Sequence, residues 1–153
     1  MKYRVPRLSP DPPTELWITD LGDAPLMRIE TVPHGNAFGV VLRDCENTPL
    51  AAVTVRRGPF KTTAEVEVAG EPFAQLRLKR GAVRVRTRTG DYIIAGDFAA
   101  FDFHVLLNTS PVADIAPRQT EHHTYLLETS DHESQAPLIA MVLAVDLLLQ
   151  TRR

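Results

Sequence analysis

Between residues 14 and 129 apolar and polar side chains alternate in short runs broken by turn residues, and after residue 135 the alternation stops. The first run, Leu16-Trp17-Ile18-Thr19-Asp20, is followed by Leu21-Gly22-Asp23-Ala24 and then by Pro25-Leu26-Met27-Arg28-Ile29. This reads as a strand, a turn and a returning strand. The phrase recurs in residues 38–55, where Asp44 precedes Pro49-Leu50 as Asp20 precedes Pro25-Leu26, so Asp-x-x-x-x-Pro-Leu occurs twice. Looser copies occupy 65–76 and 103–115. In each copy a proline follows the turn and opens the returning strand, where a missing N–H donor costs little. Residues 83–88, Val-Arg-Val-Arg-Thr-Arg, alternate strictly, turn at Thr89-Gly90-Asp91 and return as Tyr92-Ile93-Ile94-Ala95. A last run covers 123–128.

The final stretch, 136–150, is apolar on every side of a helix except for Asp146. At about 1.5 Å per residue it reaches roughly 22 Å, short of the ~30 Å core of a bilayer. A helix without a polar face must be surrounded, so the pattern predicts a buried core helix. Ser134 is placed to cap it, Pro137 fits its first turn, and Asp131 and Glu133 stand at the positive end of its dipole. Eleven or twelve short strands can surround such a helix by closing around it, which also removes their edges. The predicted fold is mainly β: a closed antiparallel barrel of about twelve strands wrapped around the C-terminal helix. One domain is expected, with a proline-rich arm at 1–13 holding one short strand near Tyr3, a strand meander at 14–129 and the helix at 135–150. Asp146 should hold the helix axially, by reaching solvent or by accepting hydrogen bonds from a strand.

Composition sharpens this picture in three ways. A formal charge of −2 leaves no global basic footprint, so nucleic acid is not an expected partner. A single cysteine, Cys45, leaves no internal disulfide and no multi-cysteine zinc framework, and its position between Asp44 and Glu46 argues against a reactive thiolate. The first thirteen residues contain no apolar core of a secretory signal, and the expectation is a reduced, cytoplasmic protein, monomeric or weakly associated.

Several segments together resemble the LURP-one-related family, whose tubby C-terminal-like fold also includes the phospholipid scramblases. They are Leu16-x-Ile18-x-Asp20-x-Gly22, Tyr92-x-Ile94-x-Gly96-Asp97-Phe98, Asp102-Phe103 leading to Val112-Ala113-x-Ile115, Thr124-Tyr125, and Leu138-Ile139-Ala140-x-Val142-x-Ala144-x-Asp146. The resemblance spans about 3–150 and implies a twelve-stranded barrel around a central helix. It also implies a lipid-linked role, since tubby-type relatives bind phosphoinositides through exposed basic residues. This chain departs from scramblases in having no cysteine cluster and in reading Glu121-His122-His123 before Thr124-Tyr125.

The sharpest local feature is basic. Arg77, Lys79, Arg80, Arg84, Arg86 and Arg88 place six cations in twelve residues with no acid among them. On a strand, Arg84, Arg86 and Arg88 share one face while Val83 and Val85 point inward, and guanidiniums in a row grip phosphates bidentately. The competing account is a solvated edge, or a charge ladder with Glu65, Glu67 and Glu71. Arg56, Arg57 and Lys61 form a second basic group around Phe60, and its placement beside the first would favour a lipid ligand. His122, His123 and His132 with Asp131 lack metal-ligand spacing, so no metal and no cofactor is expected. His34 and His104 are expected to be structural. Asp97 and Asp102 are the only carboxylates weighed for catalysis, and with no nucleophile elbow or phosphate loop present no enzyme is expected. The expectation is a binding module for an anionic lipid headgroup or another phosphate-bearing ligand at a membrane surface. The alternative is a protein-interaction scaffold with no lipid ligand.

Overall fold

The computed structural model describes residues 1–8, 15–34, 37–79, 82–117 and 123–151. Its strands are β1 (Lys2–Pro6), β2 (Glu15–Thr19), β3 (Pro25–His34), β4 (Ala37–Asp44), β5 (Pro49–Arg57) and β6 (Thr62–Val68). They continue as β7 (Glu71–Leu76), β8 (Ala82–Thr87), β9 (Gly90–Asp97), β10 (Asp102–Leu107), β11 (Ser110–Pro117) and β12 (Thr124–Thr129), and one helix follows, α1 (Gln135–Thr151). All twelve strands form one antiparallel sheet in the order β7-β6-β5-β4-β3-β2-β1-β12-β11-β10-β9-β8. The meander rolls up because β1 lies between β2 and β12, pairing Lys2 with Glu128 and Pro6 with Thr124. The barrel is nearly closed. Its two end strands, β7 and β8, stand side by side without a hydrogen-bonded ladder and leave a seam.

The repeated Asp-x-x-x-x-Pro-Leu phrase has a hydrogen-bond basis. Asp20 Oδ1 accepts from the amides of Gly22 (2.8 Å) and Ala24 (3.0 Å), and Asp44 Oδ1 accepts from those of Glu46 (2.9 Å) and Thr48 (2.8 Å). Third after each aspartate comes a residue that tolerates a left-handed backbone, Asp23 at φ 69° and Asn47 at φ 68°. Both turns are followed by the same bulge, which sets Thr19 opposite Pro25 and Arg43 opposite Pro49. Gly96 meets a harder constraint, since a Cβ there would lie 2.6 Å from both Asp102 O and Phe103 Cα at a φ of +144°.

The helix fills the barrel. From Leu138 to Val145, and again at Leu147 and Leu148, its side chains are buried. It packs chiefly on β5 and β6, where the inner side chains Ala51 and Ala64 let its backbone approach. Elsewhere larger side chains fill the interior, with the Phe101 ring tilted against Tyr125 at 4.5 Å and edge-on to Phe103 at 5.1 Å.

Both ends of the helix are tied to the first eight residues. At its start Gln135 Oε1 accepts from the Tyr3 hydroxyl (2.9 Å) and from Thr129 Oγ1, and its amide donates to the carbonyls of Ser130 and Glu133. Near its end the wholly buried Asp146 accepts from the Leu8 amide at 2.8 Å and from Arg7 Nε at 3.2 Å, and the Gln150 amide donates to Leu8 O at 2.7 Å. The donors to Asp146 therefore come from just past β1 and not from within a strand. Arg7 is held in turn over the Phe101 ring, 4.0 Å from its centroid. Burial raises the Asp146 carboxyl above its ordinary 3.8, with Arg7, the Leu8 amide and Gln150 opposing.

Candidate functional site

At the seam the alternation of the sequence turns basic outward. On β8, Val83 and Val85 are buried while Arg84 and Arg86 are exposed. Beyond β7 the same period continues through Gln75, Arg77 and Lys79, which are exposed, and Leu76 and Leu78, which are buried. The two outward rows border a cleft of about 200 Å³ lined by Lys61, Thr63, Gln75, Leu76, Arg77, Lys79, Val83 and Arg84.

The cations expected from sequence separate into three groups. Lys61, Arg77, Lys79 and Arg84 line the cleft, although they come from the β5–β6 loop, the segment after β7, and β8. Within 4 Å none of these four meets a carboxylate among the described residues. A second group is compensated: Arg88 pairs with Glu71 at 3.1 Å and Arg56 with Glu65 at 3.2 Å. Arg86 stands across the β8–β9 ladder from Asp91 but forms no ion pair within 4 Å among the described residues. Arg57 ends β5 opposite Thr62. Arg80 lies outside the described residues.

Of the charge ladder considered for these cations from sequence, only the Arg88–Glu71 rung forms among the described residues, while Glu65 is taken by Arg56 instead, and the ladder stops short of the cleft. Arg88 also differs from expectation in position. It follows the last residue of β8 and reaches across the seam, where its Nη2 donates to Glu71 and, at 3.4 Å, to the carbonyl of Pro72 on β7. It bolts one end of the seam and leaves the other end to the four cations.

Thr63 and Gln75 add a hydroxyl and an amide to the cleft wall. Sequence reading passed over both, although Gln75 is in phase with Arg77 and Lys79 and that phase was available to find it. A second depression, lined by Glu15, Trp17, Arg28, Asp44, Cys45 and Asn47, is neither basic nor deep, and the Cys45 thiol there faces the carbonyls of Pro25 and Leu26 at 3.4 and 3.2 Å. Of the residues weighed for catalysis, Asp97 Oδ1 accepts the Ala100 amide at 3.1 Å and so caps its turn, while Asp102 opens β10 opposite Asp97. Among the described residues no three His, Cys, Asp or Glu side chains gather as a metal would require. His122 lies outside the described residues.

A set of cations around a small cleft can bind an oxyanion of phosphate size and charge, with Arg77 and Arg84 offering planar forks and Lys61 and Lys79 point charges. No helix among the described residues is long and apolar enough to cross a membrane. No family model and no curated protein matches the chain. Among solved structures it is similar to the X-ray structure of a protein from Arabidopsis thaliana, at 17% identity and a TM-score of 0.66, over 99% of this chain and 92% of that one. That likeness shows the fold alone, a barrel with a C-terminal helix.

Proposed function

We propose that this chain is a non-enzymatic binding module of the LURP-one-related kind, taking the phosphate of an anionic phospholipid headgroup in the seam cleft at a cytoplasmic membrane surface. The observation that carries the reading is the convergence of Lys61, Arg77, Lys79 and Arg84, from separate segments, on one cleft where no described carboxylate neutralises them. Elsewhere on the barrel Arg4 pairs with Asp23, Arg28 with Glu15 and Arg43 with Glu30. Near an anionic surface each cation contributes about 1 kcal/mol, so four give roughly 4 kcal/mol and binding is reversible.

Co-sedimentation with vesicles of phosphatidylcholine and increasing phosphatidylserine tests this, alongside titration with inorganic pyrophosphate as a soluble phosphate. Binding should rise with anionic lipid, fall with salt, and drop sharply in a Lys79→Ala, Arg84→Ala variant, whose altered side chains are exposed and outside the core. Failure of the wild type to bind either vesicles or pyrophosphate at low salt would reject the cleft as a phosphate site. The scaffold reading keeps one specific observation in its favour: Trp17 and Leu21, 42% and 45% exposed, offer apolar surface in and just after β2.

A further inference from the structure

Phe60 is 94% exposed, against 51% or less for every other large exposed hydrophobic among the described residues. It is not on a loose loop. Arg57 pairs with Thr62 across the hairpin, and the Gly58 amide donates to Lys61 O at 2.8 Å, which closes a turn of residues 58–61. Pro59 fixes its own φ just before Phe60. The ring is therefore presented at a short, stiff tip with little left to order on binding.

The charge around that tip is one-sided. Arg56, Arg57 and Lys61 flank Phe60 in sequence, and Lys61 also lines the cleft with Arg77, Lys79 and Arg84. Arg56 is paired with Glu65, while Lys61 meets no carboxylate within 4 Å among the described residues. A bare aromatic ring set among cations matches the layered chemistry of an anionic bilayer, where phosphates lie outside and acyl chains begin a few ångströms below.

We propose that the 58–61 turn is a membrane anchor: Phe60 enters the headgroup–acyl boundary of an anionic bilayer while Lys61 and the cleft cations hold lipid phosphates. This rests on the headgroup reading above and deepens it by committing to a bilayer and to an orientation. The seam end of the barrel faces the membrane.

The test compares the wild type with Phe60→Ala on phosphatidylcholine–phosphatidylserine vesicles and on pyrophosphate in solution. Phe60→Ala should weaken vesicle partition by roughly ten-fold, the scale of partial burial of one aromatic ring. Its affinity for pyrophosphate and its melting temperature should be unchanged. A Trp17→Phe, Phe60→Trp variant should show indole emission quenched by bromine-labelled acyl chains. Equal vesicle partition of wild type and Phe60→Ala, or an indole that brominated lipid does not quench, would overturn the anchor. If pyrophosphate still binds in that case, the cleft reading survives the loss. Absence of vesicle binding by the wild type overturns the anchor as well, and the pyrophosphate result then decides the cleft separately.

Discussion

Replacing Asp146 by leucine should remove the fastening at the C-terminal end of the buried helix. The Leu8 amide, 2.8 Å from the carboxylate, would lose its acceptor in a buried site, at about 1–3 kcal/mol. Arg7 would lose its partner as well, but its side chain is 25% exposed and can turn toward water, so its share is only about 1 kcal/mol. The Gln150 amide keeps its stronger bond to Leu8 O and adds little. A net loss of about 3 kcal/mol follows, equivalent to a melting temperature lower by roughly 6–12 °C for a domain of this size. Chemical denaturation at constant slope and thermal melting would measure it. Asp146→Asn, which keeps an acceptor for Leu8, should lose less. Stability of Asp146→Leu equal to the wild type would show that the contacts of Arg7 and Leu8 do not hold the helix.

The same residue has a pH signature. Its carboxyl binds the proton more tightly in the folded state than its ordinary 3.8, because burial opposes the charge. The stabilisation from a raised group is complete below the unfolded value and is lost as pH rises through the folded value. The stability advantage of the wild type over Asp146→Asn should therefore grow as pH is lowered from neutral toward 3.8. An advantage that shrinks in acid would mean that Arg7 outweighs burial.

Two further outcomes follow from buried groups. The Tyr125 hydroxyl is enclosed with no hydrogen-bond partner among the described residues and burial pushes it well above its ordinary 10.0, so Tyr125→Phe should be neutral or stabilising by up to about 1 kcal/mol. Wild-type stability should also fall more steeply above pH 10.0 than that of Tyr125→Phe, and a clear loss in the variant at neutral pH would reveal an acceptor. Gly96→Ala should cost about 2–4 kcal/mol in denaturant melts, since its Cβ would strike Asp102 O and Phe103 Cα, and a native-like melt would show that β9 and β10 can part there.

The parts of this molecule legible from sequence are those encoded by neighbours along the chain. The twin aspartate turns and the paired β2–β3 and β4–β5 hairpins follow from residues no more than a few positions apart. A helix apolar on all sides demands an enclosing sheet whatever the details. Illegible were the features made by distant segments. Nothing in Arg7 marks it as the partner of Asp146, 139 residues away. The position of the seam was equally hidden, because β7 and β8 are consecutive strands joined like every other hairpin, and pattern alone predicts that they pair. At the site, the outward alternation of Arg84 and Arg86 follows from the sequence, yet membership of the cleft depends on which cations meet across the seam. Arg88 falls to Glu71, Arg86 lies outside the cleft wall, and Lys61 joins from another hairpin.

With its helix in place the barrel has a packed interior, so chemistry has only the outer wall and rims to work with. A surface cation by itself is weak evidence of a site, because solubility and edge protection also call for charge. What separates the cleft from the rest of the surface is compensation. Around β1 to β6, Arg4, Arg28, Arg43 and Arg56 are matched by acids, in pairs that hold neighbouring strands and turns together. At the seam the matching ends with Arg88 and Glu71, at the end where the two strands are bolted. The other end, with four cations that meet no carboxylate among the described residues and with the edges of β7 and β8 not laddered to each other, is where the fold leaves like charges close together at a cost to its own stability. An anion arriving there relieves that repulsion, so anion binding should stabilise the folded barrel, most strongly at low salt where the repulsion is least screened.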